Sequence, residues 1–316
     1  MMKFFKLIPI LFFLLLCSCK ENKPKDGWTD TLTSGTVPVA VDEGFQPIIE
    51  EEIAVFEGLN SEVHIKPKYC SEVDAINSLL KDSVRLVVST RRLSSKEIQS
   101  FNSRKFFPRE VIMAYDGVGL ITNNQNPDSL ITVSQVRKIL TGEITKWKEI
   151  YPNSKLGNIQ IVFDNPNSST VRFAKDSICL GKPFASKGIN AKKTNLQVFD
   201  YVSKTPNAIG IIGVNWLGAK NDTTNLTFKK EVRVMAVSKD NIADGSNSYK
   251  PYQAYIALGD YPFYRAVYLL INDPRQGLSS GFANFLTSDR GQRIILKSGL
   301  VPATQPVRIV NVKDEY

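Results

Sequence analysis

The apolar positions along the chain switch between two periods. Val37, Val39 and Val41 fall on every second residue, the spacing of a strand. After the turn Asp42-Glu43-Gly44, the residues Phe45, Ile48, Ile49, Ile53 and Phe56 keep helical spacing, and Glu50, Glu51 and Glu52 are expected on the solvated face of that helix. Val63 and Ile65 mark a second strand, with His64 exposed between them. Ala75, Ile76, Leu79 and Leu80 mark a second helix, and VRLVV (84–88) reads as a short buried strand. This β-α-β-α-β order predicts a parallel sheet with right-handed crossovers. Ligands of open sheets sit beyond the carboxyl ends of the strands, which here carry Asp42 to Phe45 and Ser89 to Arg92.

A second unit is expected from about residue 117. GVGLIT gives a strand, and Val133, Val136, Ile139 and Leu140 give a helix closed by Gly142. Ile159, Ile161 and Phe163 alternate as a strand, and Val171, Ala174 and Ile178 form a helical stripe. A helix near 195–203, the strand AIGIIGV (208–214) and a polar turn region DGSNSYKPYQ (244–253) follow. YPFYRAVYLLI (261–271) supplies a buried strand, and one last helix is expected across GFANFLTSDRGQRIILKSG (281–299). Both halves are of α/β type, and the chain is long enough for two cores. The predicted fold class is therefore α/β, with two lobes and a cleft between them.

The first residues do not belong to this pattern. Lys3 and Lys6 precede an unbroken apolar run from Leu7 to Leu16, too short to cross a bilayer and typical of a signal-peptide core. The run ends in Leu16-Cys17-Ser18-Cys19, which resembles a bacterial lipobox and implies cleavage before Cys19 and lipid on its sulfur. Residues 1–18 are thus expected to be a signal peptide and 19–30 a polar tether. Losing the leader lowers the formal charge from +9 to +7, without a long basic run, so nucleic acid is not an expected partner. Cys70 and Cys179 remain inside the fold; an exported chain allows one disulfide between them, and two buried free thiols are the preferred reading. The one histidine, His64, leaves no material for a Ser-His-Asp site or a His/Cys metal cluster. No metal or cofactor is expected.

The stretch FDNPNSSTVRF (163–173) gathers Ser168, Ser169 and Thr170 between a strand and a helix. Such hydroxyls can cap the helix. They can also join its unpaired N–H groups in a cradle for an anion.

Several phrases together resemble the phosphate-type periplasmic substrate-binding proteins of ABC importers. LITVSQVRKILTGEITKWKEI (130–150) is similar to that family's helix and Gly-Trp signature, AIGIIG (208–213) to a strand, and YPFYRAVYL (261–269) to its Tyr-Pro segment. FANFLTSDRGQRIILKSGLVP (282–302) resembles its final helix and strand, and STRRLSSKE (89–97) an earlier loop. The matches run in order from about residue 36 to 302. The resemblance implies a type II periplasmic binding protein fold, each lobe a mainly parallel sheet flanked by helices. The first lobe would hold 31–115 with 252–316, and the second 116–251, hinged around a ligand. It implies a binding protein and no catalysis. Its implied partners are inorganic phosphate or a similar small oxyanion, ABC permease subunits, and a membrane reached through the lipid anchor, in the bacterial cell envelope facing the periplasm. A sensing or scaffolding module of the same fold with another ligand is the alternative. The presence or absence of neighbouring permease genes separates the two.

Site residues follow from the same resemblance. The family pattern Arg-x-Asp-x-Ser-Gly-Thr stands here as Asp164-Asn165-Pro166-Asn167-Ser168-Ser169-Thr170. The hydroxyl ends are kept, but the arginine, the aspartate and the glycine are replaced. In the first lobe an aspartate that follows serine in phosphate binders is Thr90 here. The implied ligand-binding set is Gly44, Phe45, Ser89, Thr90, Arg91, Ser168, Ser169 and Thr170. Arg91 would offer a fork to an oxyanion, whereas Asp42, Glu43 and Asp164 would repel an anion if they face the cleft.

Overall fold

A computed structural model describes residues 29–219 and 227–307. The expected leader, Cys19 and most of the tether lie outside the described residues. The first lobe is built on β1 (Gly35–Asp42), α1 (Gln46–Leu59), β2 (Val63–Cys70), α2 (Glu72–Leu80), β3 (Leu86–Ser89) and α3 (Ser95–Ser103). The strands lie parallel in the order β2-β1-β3, as their alternation with helices requires. Val37, Val39 and Val41 point to one face of the sheet, where Ile48, Ile49, Phe56 and Phe282 complete a core. Ala40 and Val87 point to the other, against Ala75, Ile76, Leu79 and Phe101. Helices cover both faces of the centre, so β3 is buried throughout, whereas the edge strand β2 exposes His64, Lys66 and Lys68.

β4 (Arg109–Asn123) is 15 residues long and carries the chain into the second lobe. The sequence reading began this strand at Gly117. The apolar run is broken at Tyr115-Asp116-Gly117, which hides its first half. Beyond it come β5 (Leu130–Thr132), α4 (Val133–Thr141), β6 (Gln160–Phe163), α5 (Ser169–Phe173), β7 (Ile189–Ala191), α6 (Asn195–Lys204) and β8 (Ala208–Gly213). α4 starts at a Thr132/Gln135 capping box and stops at Gly142, whose φ of +82° is a left-handed cap that favours glycine. α5 continues as one π-helical segment, Ala174–Ile178. β6 pairs parallel with β7 and β8, and β8 antiparallel with β4. Their faces pack Leu120, Trp147, Ile161 and Ile211 on one side and Val162, Val198, Val202 and Ile212 on the other.

β9 (Val232–Val234), β10 (Ala236–Ser238), β11 (Ser248–Tyr249) and α7 (Gln253–Ala257) complete this part. β12 (Tyr264–Ile271) then returns between β3 and β4, antiparallel to both. The expected single last helix is two, α8 (Leu278–Thr287) and α9 (Asp289–Lys297), followed by β13 (Val301–Pro302) on β4. Ser288 makes the break: its backbone is extended, and its hydroxyl accepts the Gly291 N–H to cap α9.

One expectation for α1 is corrected. Glu50 and Glu51 are exposed, but Glu52 is fully buried. It lies four residues after Ile48 and four before Phe56, so it falls inside the apolar stripe. Neither of its carboxyl oxygens has a hydrogen-bond partner among the described residues. Burial, and then the charge of Glu51, push its carboxyl up to about 9.

Candidate functional site

The carboxyl ends of three parallel strands deliver side chains to one place. β1 ends at Asp42, β2 leads through Ser71 into Glu72, and β3 ends at Ser89 and Thr90. Glu72 is the first residue of α2, which is capped by the Ser71 hydroxyl on the Asp74 N–H. The Glu72 carboxylate accepts from Ser89 Oγ (3.0 Å), Thr90 N (2.8 Å) and Thr90 Oγ1 (2.8 Å). From the other lobe, Arg172 Nε donates to its Oε2 (2.6 Å) and Arg172 Nη2 to Thr90 Oγ1 (2.8 Å). Burial pulls the Glu72 carboxyl up. The Arg172 hydrogen bond and charge, with the Thr90 hydroxyl and N–H, outweigh it and hold the group below its usual range.

A second cluster sits where β12 meets β4. Arg265 and Asp116 are register partners on these antiparallel strands, so their side chains share a face. Arg265 Nε donates to Asp116 Oδ2 at 3.0 Å, Nη2 makes only an ion-pair contact with the same oxygen at 2.9 Å, Nη1 donates to Ser169 Oγ at 2.9 Å, and the guanidinium lies 5.6 Å from the Phe45 ring centroid. Gly44 lets the chain pass close: a Cβ there would stand 3.3 Å from Asp42 Oδ1 and 3.9 Å from Arg265 Nη2. Burial, then the charge of Glu72, push Asp42 up to about 7, against the opposing pull of Arg265, the Ser169 hydroxyl and the Gly44 N–H. Burial likewise raises Asp116 despite Arg265.

At α5, Ser168 is the N-cap, its hydroxyl accepting the Val171 N–H at 3.3 Å. Thr170 Oγ1 donates to Asp164 Oδ1 at 2.7 Å and lies 2.8 Å from Ser168 Oγ. The lobes meet over these groups. Asn165 Nδ2 donates to Glu43, and Asn215 Nδ2 and Trp216 Nε1 both donate to the Gly44 carbonyl at 2.9 Å. Burial, then Asp164, raise the Glu43 carboxyl. A groove of 680 Å³ between Gln46, Glu50, Trp216 and Lys297 flanks this seam.

Of the residues singled out in the sequence, Gly44, Phe45, Ser89, Thr90, Ser168, Ser169 and Thr170 all line this seam. Arg91 stands apart. Its guanidinium forks onto Glu97 of α3 at 2.8 Å through both terminal nitrogens. The guanidinium groups in the seam are Arg172 and Arg265, which the sequence reading did not select. Arg172 lies four residues after Ser168, on the same helical face. Arg265 and Asp116 are single charges inside otherwise apolar strand segments, a signal that was available. Glu72 carries the same signal as the ends of β1 and β3, since it follows the carboxyl end of β2. Asp42 and Asp164 do face the seam, both fully buried.

The seam gathers strong donors already engaged by protein groups, with more buried carboxylates than guanidinium groups. A family model, the PBP superfamily domain, matches residues 28–290. The chain belongs to the PBP superfamily. It is 27% identical to the phosphate-binding protein PstS of Borreliella burgdorferi, over 94% of this chain and 98% of that one. It is 21% identical to the phosphate-binding protein PstS of Bacillus subtilis, over 94% and 93%. Among solved structures it resembles a putative phosphate ABC transporter substrate-binding protein with bound phosphate from Clostridium perfringens. That match has a TM-score of 0.68 and 21% identity, covering 85% of this chain and all of the other. A phosphate transport receptor from Vibrio cholerae matches with a TM-score of 0.64 at 18% identity. At these identities the structural matches establish the two-lobed PBP fold.

Proposed function

We propose that this PBP-superfamily chain is the solute-binding lipoprotein of an ABC import system and takes phosphate or a related oxyanion between its lobes. The observation that carries the reading is the donor set at the strand ends. Ser89 Oγ, Thr90 N–H, Thr90 Oγ1 and Arg172 converge on carboxylate oxygens, the atoms most like those of an oxyanion. The printed functions of the relatives, phosphate binding and phosphate transport, favour the same class. These are binding proteins, and we assign this chain a binding role, with permease subunits as its membrane partner. The lobes are read as 31–115 with 252–316, and 116–251. The packing of Phe282 with Val39 supports this division, while Tyr261 and Phe263 lie against the second core.

Two expected outcomes test the reading. Replacing Ser168 and Thr170 together by alanine removes hydroxyls at the seam. At about 1–3 kcal/mol for each lost partner of a charged group, phosphate affinity should fall more than tenfold, as calorimetric titration would show. Stability should fall by about 2–4 kcal/mol, one cap plus the hydrogen bond that Thr170 gives the buried Asp164. Unchanged affinity with a measurable stability loss would return both hydroxyls to capping alone. For the anchor, intact-mass measurement of membrane-extracted protein should find acyl mass on Cys19. A species cleaved elsewhere and free of lipid would contradict lipidation.

A further inference from the structure

We propose that Glu72 is the cleft's own occupant: its carboxylate sits on the donors an incoming oxyanion would use, so the ligand binds by displacing it. The inference rests on the oxyanion reading and deepens it by naming the residue that sets affinity. The donors come from separate parts of the chain. Ser89 and Thr90 follow β3, and Arg172 reaches across from α5 in the other lobe. They enclose the carboxylate in two-pronged fashion, with Arg172 Nε at 2.6 Å from one oxygen and Nη2 at 3.4 Å from the other. The place itself is the one where open parallel sheets hold their ligands, beyond the carboxyl ends of the central strands.

Charge balance points the same way. Asp42, Glu72, Asp116 and Asp164 are buried at the seam, against the guanidinium groups of Arg172 and Arg265. An external anion cannot simply be added to a cleft already rich in carboxylates. It gains these donors only when one internal carboxylate leaves them. Glu72 is the candidate to leave, because a side-chain rotation at the start of α2 frees all its donors at once. Asp116 is instead held between neighbouring strands by its register with Arg265. The departing Glu72 gives up its link to Arg172, and the oxyanion that takes over the same donors restores that link.

The experiment is calorimetric titration of inorganic phosphate and of sulfate into the full chain and its Glu72→Ala and Glu72→Gln variants. Alanine leaves the Thr90 N–H, the hydroxyls and Arg172 without their acceptor, and glutamine leaves them only a neutral, weaker amide oxygen, so an oxyanion then meets no competing carboxylate. Both variants should bind at least tenfold tighter than the native chain, a gain of about 1.4 kcal/mol. Glu72→Gln keeps the shape of the side chain and decides the matter should the alanine variant not fold. If the native chain binds phosphate and the variants bind equally or more weakly, Glu72 is a structural link and the proposal falls while the oxyanion reading stands. If no form binds either anion, the proposal falls, and the oxyanion reading falls with it for phosphate and sulfate.

Discussion

Replacing Arg265 by leucine should lower the unfolding free energy by about 3–5 kcal/mol at pH 8, the usual cost of breaking a buried ion pair from one side. Arg265 is the counter-charge of Asp116 and one of the groups holding Asp42 down, and it covers the Phe45 ring. Without it both carboxyls are pushed further above their unfolded values. A group whose folded value is raised destabilises little while both states hold its proton, and more as pH rises. The loss should therefore be smaller at pH 5 than at pH 8. Urea unfolding at the two pH values measures this, and a loss below about 1 kcal/mol at pH 8 would contradict the assignment. The double variant Arg265→Leu with Asp116→Leu should recover most of the deficit, because the uncompensated charge leaves with the aspartate.

Glu52→Leu should have the opposite sign and stabilise the chain by about 1–3 kcal/mol at pH 8. The glutamate is fully buried in the apolar stripe of α1, without a hydrogen-bond partner among the described residues. Its carboxyl is raised from 4.5 to about 9. The folded state thus keeps a proton that the unfolded chain releases, and stability falls as pH rises from about 4.5 towards 9. Leucine removes this dependence, which has a ceiling of about 1.4 kcal/mol per pH unit. Stability curves at pH 5 and pH 8 should diverge, with the larger gain at pH 8. A destabilised variant at both pH values would show that Glu52 has a partner the burial argument overlooks.

Glu52 also shows how far the sequence could be read. Its spacing from Ile48 and Phe56 placed it in the buried stripe, but its charge and its neighbours Glu50 and Glu51 suggested a solvated cluster. Periodicity was the better guide. The strand and helix order was legible for the same reason, since alternation and helical stripes express local geometry. The strand ends holding Gly44, Phe45, Ser89 and Thr90 followed from topology. Glu72 stands at the end of β2, where the same rule points, but the pairing of Glu72 with Arg172 and of Arg265 with Ser169 joins residues distant in sequence. Arg172 meets Glu72 a hundred residues away, and Arg265 meets Ser169 across 96. Arg91 shows the converse: a local partner, Glu97 within the next helix, holds a guanidinium that its position had offered to the cleft.

The central claim is that the seam between the lobes holds an oxyanion. Calorimetric titration of inorganic phosphate into the full chain, with sulfate and a phosphate monoester in parallel, tests it most directly. Saturable one-to-one binding of at least one of these anions is the expected result. No saturable heat for any of them up to about 1 mM, where binding is worth only about 4 kcal/mol, would contradict it.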